Sequence, residues 1–94
     1  MTDGTFRLTA RITGVVQGVG FRYWTARKAD ELLLTGTVRN DHDGSVRLLA
    51  EGSAADVDRL VKWLQSTRAP GHVEKVDFEL SDGTGEFDDF RIVG

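Results

Sequence analysis

The stretch Phe6-Arg7-Leu8-Thr9-Ala10-Arg11-Ile12, followed shortly by Val16-Gln17-Gly18-Val19-Gly20-Phe21-Arg22, changes its apolar period across a glycine-rich turn. Phe6, Leu8, Ala10 and Ile12 alternate with Arg7, Thr9 and Arg11, the period of a strand with one buried face, expected over residues 5 to 13. From Phe21 to about Leu33 the spacing of Phe21, Thr25, Ala29 and Leu32 or Leu33 is helical, with Arg27, Lys28, Asp30 and Glu31 facing outward. A strand, a glycine turn and a helix in this order build an anion site. The first N–H groups of a helix have no partner inside it, and the helix dipole adds about half a positive charge at that end. Gly18 and Gly20 can take positive φ and curl N–H groups around a ligand that a Cβ would exclude. Arg22 adds a planar fork that donates two parallel hydrogen bonds to phosphate oxygens.

Two familiar phosphate loops are excluded. A Walker loop requires Lys and then Ser or Thr after its last glycine, whereas Gly20 is followed by Phe21 and Arg22. The dinucleotide fingerprint requires a third glycine where Tyr23 stands. Taken alone, the two glycines also describe a tight strand-to-helix turn beside an ordinary surface arginine.

Working outward, Val38 on one side and Val46, Leu48 and Ala50 on the other flank the polar turn Asp41-His42-Asp43-Gly44, a β-hairpin. Ser53 with Asp56 three residues later opens a second helix with the apolar stripe Val57, Leu60, Val61 and Leu64, ending before Pro70-Gly71. Val76, Phe78 and Leu80 give a fourth strand; Phe87, Phe90 and Ile92 give a short final one after Asp82-Gly83-Thr84-Gly85. The order β-α-β-β-α-β with a short addition predicts an α+β fold, the ferredoxin-like split βαβ sandwich: one antiparallel sheet ordered 4-1-3-2, with both helices on one face and four one-sided strands burying their apolar sides. Strands one and two then run the same way, so the glycine turn and the end of strand two emerge at one edge. Arg22 and Asn40 are expected to share a pocket.

Composition narrows the function classes. The 94 residues, 1–94, are read as a single domain with no linker, repeat or low-complexity segment. No cysteine is present, which excludes a disulfide framework and a thiolate nucleophile and suits a cytoplasmic protein. Met1-Thr2-Asp3-Gly4 shows no leader pattern, and no apolar run reaches the length of a membrane span. The net charge of −3 is uneven: residues 1–50 carry seven Lys or Arg against five Asp or Glu, residues 51–94 five against ten. A small anionic ligand fits this balance better than nucleic acid, which calls for a broad basic stripe. His42 and His72 lack metal-ligand spacing, and Asp41 with Asp43 lacks the ligand count for calcium, so surface and turn roles are expected and no metal or other cofactor. Trp63 on a mostly polar face of helix two and Trp24 near the start of helix one are read as packing or partly exposed residues.

Gly14-Val15-Val16-Gln17-Gly18-Val19-Gly20-Phe21-Arg22, then Ala29, Gly36-Thr37-Val38-Arg39-Asn40 and Asp43-Gly44-Ser45-Val46 together resemble the acylphosphatase family over nearly the whole chain. The resemblance implies hydrolysis of the carboxyl–phosphate anhydride of a small acyl phosphate. The phosphate would be held by Gln17, Gly18, Val19, Gly20, Phe21 and Arg22, and the attacking water oriented by Asn40; the chain would act as a monomer, without membrane or nucleic acid. The departing carboxylate, with a conjugate-acid pKa of roughly 4, needs no general acid, and positioning with charge stabilisation suffices without metal. Asn40 is no strong base, so a substrate phosphate oxygen is expected to take the proton of the water.

Three positions depart from the family pattern. Leu33 stands where glycine commonly ends the helix: either it takes a left-handed conformation at about 1 kcal/mol, or the helix ends differently. Thr37 replaces a frequent tryptophan, and Val93-Gly94 replaces an aromatic or basic ending. The alternative to an enzyme is a non-catalytic phosphate or carbamoyl-phosphate binding module of a larger protein, against which a short chain with its own Met1 is weighed. An RNA-binding domain of the same fold is disfavoured, because Ser45-Val46-Arg47-Leu48-Leu49-Ala50 offers no aromatic for stacking.

Overall fold

The computed structural model describes residues 5–66 and 68–94; the leader reading at residues 1–4 lies outside them. The elements are β1 (Phe6–Val15), α1 (Phe21–Glu31), β2 (Thr35–Asn40), β3 (Val46–Gly52), α2 (Ala54–Leu64), β4 (His72–Asp82) and β5 (Phe90–Ile92). They form one sheet in the order β4-β1-β3-β2-β5. The expected 4-1-3-2 core is therefore present, and the short addition extends it as β5. That strand pairs parallel with β2, Val38 opposite Ile92, so the sheet is mostly rather than wholly antiparallel.

Alternation decides which face is buried. Leu8, Ala10 and Ile12 of β1, Val46, Leu48 and Ala50 of β3, and Val38 of β2 lie under the helices. Phe21, Thr25 and Ala29 of α1 and Val57, Leu60, Val61 and Leu64 of α2 close the layer from above. Ser53 caps α2 as its sequence signature requires: the Asp56 N–H donates to Ser53 Oγ at 3.1 Å and Ser53 Oγ donates to Asp56 Oδ2 at 3.0 Å. Trp63 is half-buried against this core, while Trp24 stands exposed beside Tyr23.

Two details differ from the sequence reading. β1 runs two residues beyond the expected Thr13, through a bulge at Thr13/Gly14, where a Cβ on Gly14 would lie 2.1 Å from the His72 carbonyl oxygen. Pairing resumes past the bulge, Gly14 opposite Val73 and Val15 opposite His72, before the chain enters the glycine turn. β4 does not bury its apolar side: Phe78 and Leu80 face the helix layer but are 44 and 55% exposed. β4 is an edge strand, and α2 packs over β1 and β3, leaving its outer flank uncovered.

Candidate phosphate site and the end of β2

β1 and β2 both pair antiparallel with β3, so their C-terminal ends emerge at one edge of the sheet. There the chain turns through residues 16–20 with Gly18 at φ 78° and Gly20 at φ 76°, the left-handed values expected of the glycines. Gly20 occupies the N-cap of α1 and brings no capping side chain. The first helical bond is Trp24 N–H to Gly20 O at 3.1 Å. Among the described residues, no hydrogen bond engages the main-chain N–H groups of residues 18–23. Six consecutive donors around a helix N-terminus thus have no protein partner, and the dipole adds positive potential there.

The turn borders a concavity of about 170 Å³ walled by Gly18, Gly20, Arg22, Tyr23 and Ile92. Val16 and Phe21, both almost fully buried, anchor its floor to the core. Larger hollows of about 310 Å³ on the open sheet face and about 320 Å³ beside Trp63 lie away from the turn, and donor chemistry rather than size singles out the smaller one. Arg22 is half-buried and, among the described residues, makes no side-chain hydrogen bond or ion pair. Its guanidinium is held in the wall with its donors free.

Asn40 is the last residue of β2, opposite Val46 and on the helix-facing side. It is not among the residues lining the concavity. Its Oδ1 is shielded from solvent and has no hydrogen-bond partner, one of two such side-chain atoms among the described residues, the other being Thr25 Oγ1. A shielded acceptor without a donor costs about 1–3 kcal/mol, so Asn40 is oriented by its surroundings rather than by a bond of its own.

Gln17 takes a place the sequence did not suggest. Its side-chain Nε2 donates to the carbonyl oxygens of Asp41 and Ser45, both at 2.9 Å, and thereby stitches the glycine turn to the mouth of the β2–β3 hairpin. Only its main chain remains for an anion. Asp41 and Asp43 behave as turn residues, as expected: Asp41 Oδ1 accepts from His42 N–H at 2.7 Å, and Asp43 Oδ1 from Ser45 N–H at 2.9 Å. Their other oxygens reach over the open face of the sheet, to Arg47 and Arg11 respectively, each at 2.9 Å. The Ser45 hydroxyl first, then the Ser45 N–H and Arg11, hold the Asp43 carboxyl far below the usual range; the His42 N–H and Arg47 lower Asp41. The sequence signal for this cluster was the run of charges Arg39, Asp41, Asp43 and Arg47. For Ile92 there was none, because nothing local says that β5 joins the sheet beside β2. Among the described residues no group of three or more His, Cys, Asp or Glu is placed to hold a metal ion.

The acylphosphatase family model matches residues 8–92. An acylphosphatase of Paenarthrobacter aurescens is 82% identical over 93 residues, covering 99% of each chain. Among solved structures, the acylphosphatase of Bacillus subtilis superposes with a TM-score of 0.86 at 31% identity, covering 95% of this chain and 99% of that one. That of Coxiella burnetii gives 0.84 at 33% identity, covering 96% and 94%.

Proposed function

We propose a catalytic arrangement for this chain from the premise that it belongs to the acylphosphatase family and hydrolyses acyl phosphates to carboxylate and inorganic phosphate. The phosphoryl group sits among the N–H groups of residues 18–23 with Arg22 across its equatorial oxygens. Water held by the Asn40 carboxamide attacks phosphorus in line; the bond from phosphorus to the carboxylate oxygen breaks, the carboxylate leaves with that electron pair, and a phosphate oxygen takes the proton of the water. The observation that carries the reading is the run of unengaged donors at the N-terminus of α1 beside an unpaired guanidinium. Charge that spreads over phosphate oxygens meets fixed dipoles there, which require no reorganisation during the reaction. Asn40 fits the water-holding role by its place, at the end of β2 beside the hairpin mouth that Gln17 stitches to the glycine turn. The reading includes a metal-free reaction by a monomer, located in the cytoplasm.

Phosphate release from acetyl, carbamoyl and benzoyl phosphate, compared with a simple phosphate ester, tests the substrate class: rapid turnover of the anhydrides only is expected, and an ester cleaved as fast refutes it. Arg22→Ala is expected to remove both turnover and inhibition by inorganic phosphate. Asn40→Ala is expected to lower kcat by about 100-fold, the scale of one lost orienting group, with phosphate inhibition near wild type. The reverse split would move Asn40 to binding. Full activity in EDTA is expected; loss restored by magnesium overturns the metal-free scheme.

A further inference from the structure

On the open face of the sheet, Arg11 of β1, Arg47 of β3 and Arg39 of β2 stand directly opposite one another, Arg47 in the middle. Neighbouring strands lie about 4.8 Å apart, so three like charges fall within roughly 10 Å, an arrangement that opposes folding when uncompensated. Asp77 of β4, directly opposite Arg11, offsets one end of the row, and the hairpin turn supplies the hydrogen-bonded compensation. Asp41 Oδ2 accepts from Arg47 Nε at 2.9 Å while its Oδ1 lies 3.9 Å from Arg39; Asp43 Oδ2 accepts from Arg11 Nη2 at 2.9 Å. Asp41 is the residue after Asn40, and its carbonyl oxygen accepts both from Gln17 Nε2 at 2.9 Å and from Gly44 N–H at 3.2 Å. One residue is therefore held from the site side by the glycine turn and from the opposite face by an arginine row.

We propose that this row, with Arg47 as its central member, is a remote positioning device for the proposed reaction: it fixes Asp41, and through Asp41 the carboxamide of Asn40. Arg47 touches neither the concavity nor the glycine turn, so its effect passes wholly through the turn. Asn40 Oδ1 is shielded and has no hydrogen bond of its own, so its direction is set by the packing around it and by the backbone it stands on, which continues into Asp41. The carboxyls of Asp41 and Asp43 are held below the usual carboxylate range, so the clamp is charged at neutral pH. The proposal rests on the reading of Asn40 as the residue that orients water, and its test separates the two.

The test uses Arg47→Met, which keeps an aliphatic stem on the sheet, alongside Asn40→Ala and Asp41→Asn. Removing the middle charge of a like-charged row relieves repulsion as it deletes one ion pair. Thermal stability of Arg47→Met is therefore expected to stay within a few degrees of wild type. Its kcat is expected to fall about tenfold, as for a small displacement of a positioned group, with inhibition by inorganic phosphate changed less than twofold. Asp41→Asn is expected to show the same split, and the double variant to be no worse than either single one, because both remove one clamp. A kcat within twofold of wild type in Arg47→Met, while Asn40→Ala is impaired, overturns the inference and leaves the Asn40 reading standing. Parallel losses of kcat, phosphate affinity and melting temperature also overturn it, as the mark of general loosening. An unimpaired Asn40→Ala removes the premise instead.

Discussion

Leu33 carries the backbone strain of the described residues: it stands at φ 59°, the one non-glycine residue there with positive φ. Of the two ways the helix end was open to being built, the chain uses the left-handed one. Leu33 N–H donates to Asp30 O at 3.0 Å and Leu34 N–H to Ala29 O at 2.9 Å, the paired bonds of a Schellman ending, with Leu34 buried beneath. The strain has little local return, since the Leu33 side chain is 85% exposed. Leu33→Gly is therefore expected to stabilise the protein by about 1 kcal/mol, raising Tm by roughly 4–8 °C, with kcat unchanged. Thermal unfolding monitored by circular dichroism checks this, and a lowered Tm would mean that the leucine packs in a way its exposure denies. The cost of leucine at that position was legible in the sequence; the choice to bear it was not, because it depends on Leu34 reaching the core. The same limit applied at the site. Gly18, Gly20 and Arg22 announce their chemistry through residue type, but the side chain of Gln17 was assigned to phosphate because nothing local reveals that two hairpin carbonyls wait across the sheet edge.

Strands and helices with a clean period were readable as elements: β1, β3, α1 and α2 fall where alternation or helical spacing put them, within two residues at most ends. The strand order 4-1-3-2 was readable too; what was not readable was the cover over individual strands and the place of β5 beside β2. The apolar alternation of β4 promised a buried side, yet its edge position leaves Phe78 and Leu80 half out, since periodicity reports a strand and not its cover. Glu51, of which the sequence pattern says nothing, is the opposite case, a charged strand residue only 4% exposed. It binds Arg7 Nε at 2.7 Å and accepts from the N–H groups of Thr84 at 3.0 Å and Gly85 at 2.9 Å, pinning the segment that leads from β4 to β5. That segment delivers Ile92 to the concavity. Removing one partner of a buried ion pair leaves the other uncompensated, so Glu51→Gln is expected to cost about 3 kcal/mol and more than about 10 °C in Tm. Amide hydrogen exchange locates the effect: faster exchange at Thr84 and Gly85, with β1 and β3 still protected, is the expected pattern, and uniform change would deny the anchor.

The carboxylates that matter to the whole molecule sit on either side of the same sheet face, Asp41 and Asp43 at the site end and Glu51 at the other, so acid acts on both ends of the fold together. Burial by itself raises the Glu51 carboxyl, but the Gly85 N–H, Arg7 and Thr84 outweigh it and bring it from 4.5 down to about 2. The sign follows from linkage. A carboxyl whose folded value is depressed contributes stability that is fully present above its unfolded value and is lost as pH falls through its folded one, because the unfolded chain then binds the proton first. Stability is expected to be flat from neutral pH to about 5 and to decline between about 4.5 and 2. Asp41 and Asp43 add to the decline in the same direction, but their pairs with Arg47 and Arg11 are part-exposed and weaken in salt, whereas the Glu51 share persists. Denaturant titrations at several pH values in 0.5 M salt separate the two. Glu51→Gln, less stable throughout, is expected to lose stability with a slope shallower by up to about one proton per molecule in that window, since the group whose titration drives it is gone. Equal slopes for wild type and variant would show that Glu51 titrates alike in the folded and unfolded chains, and the anchor of the β4–β5 segment would then be neutral packing rather than a charge held by its donors.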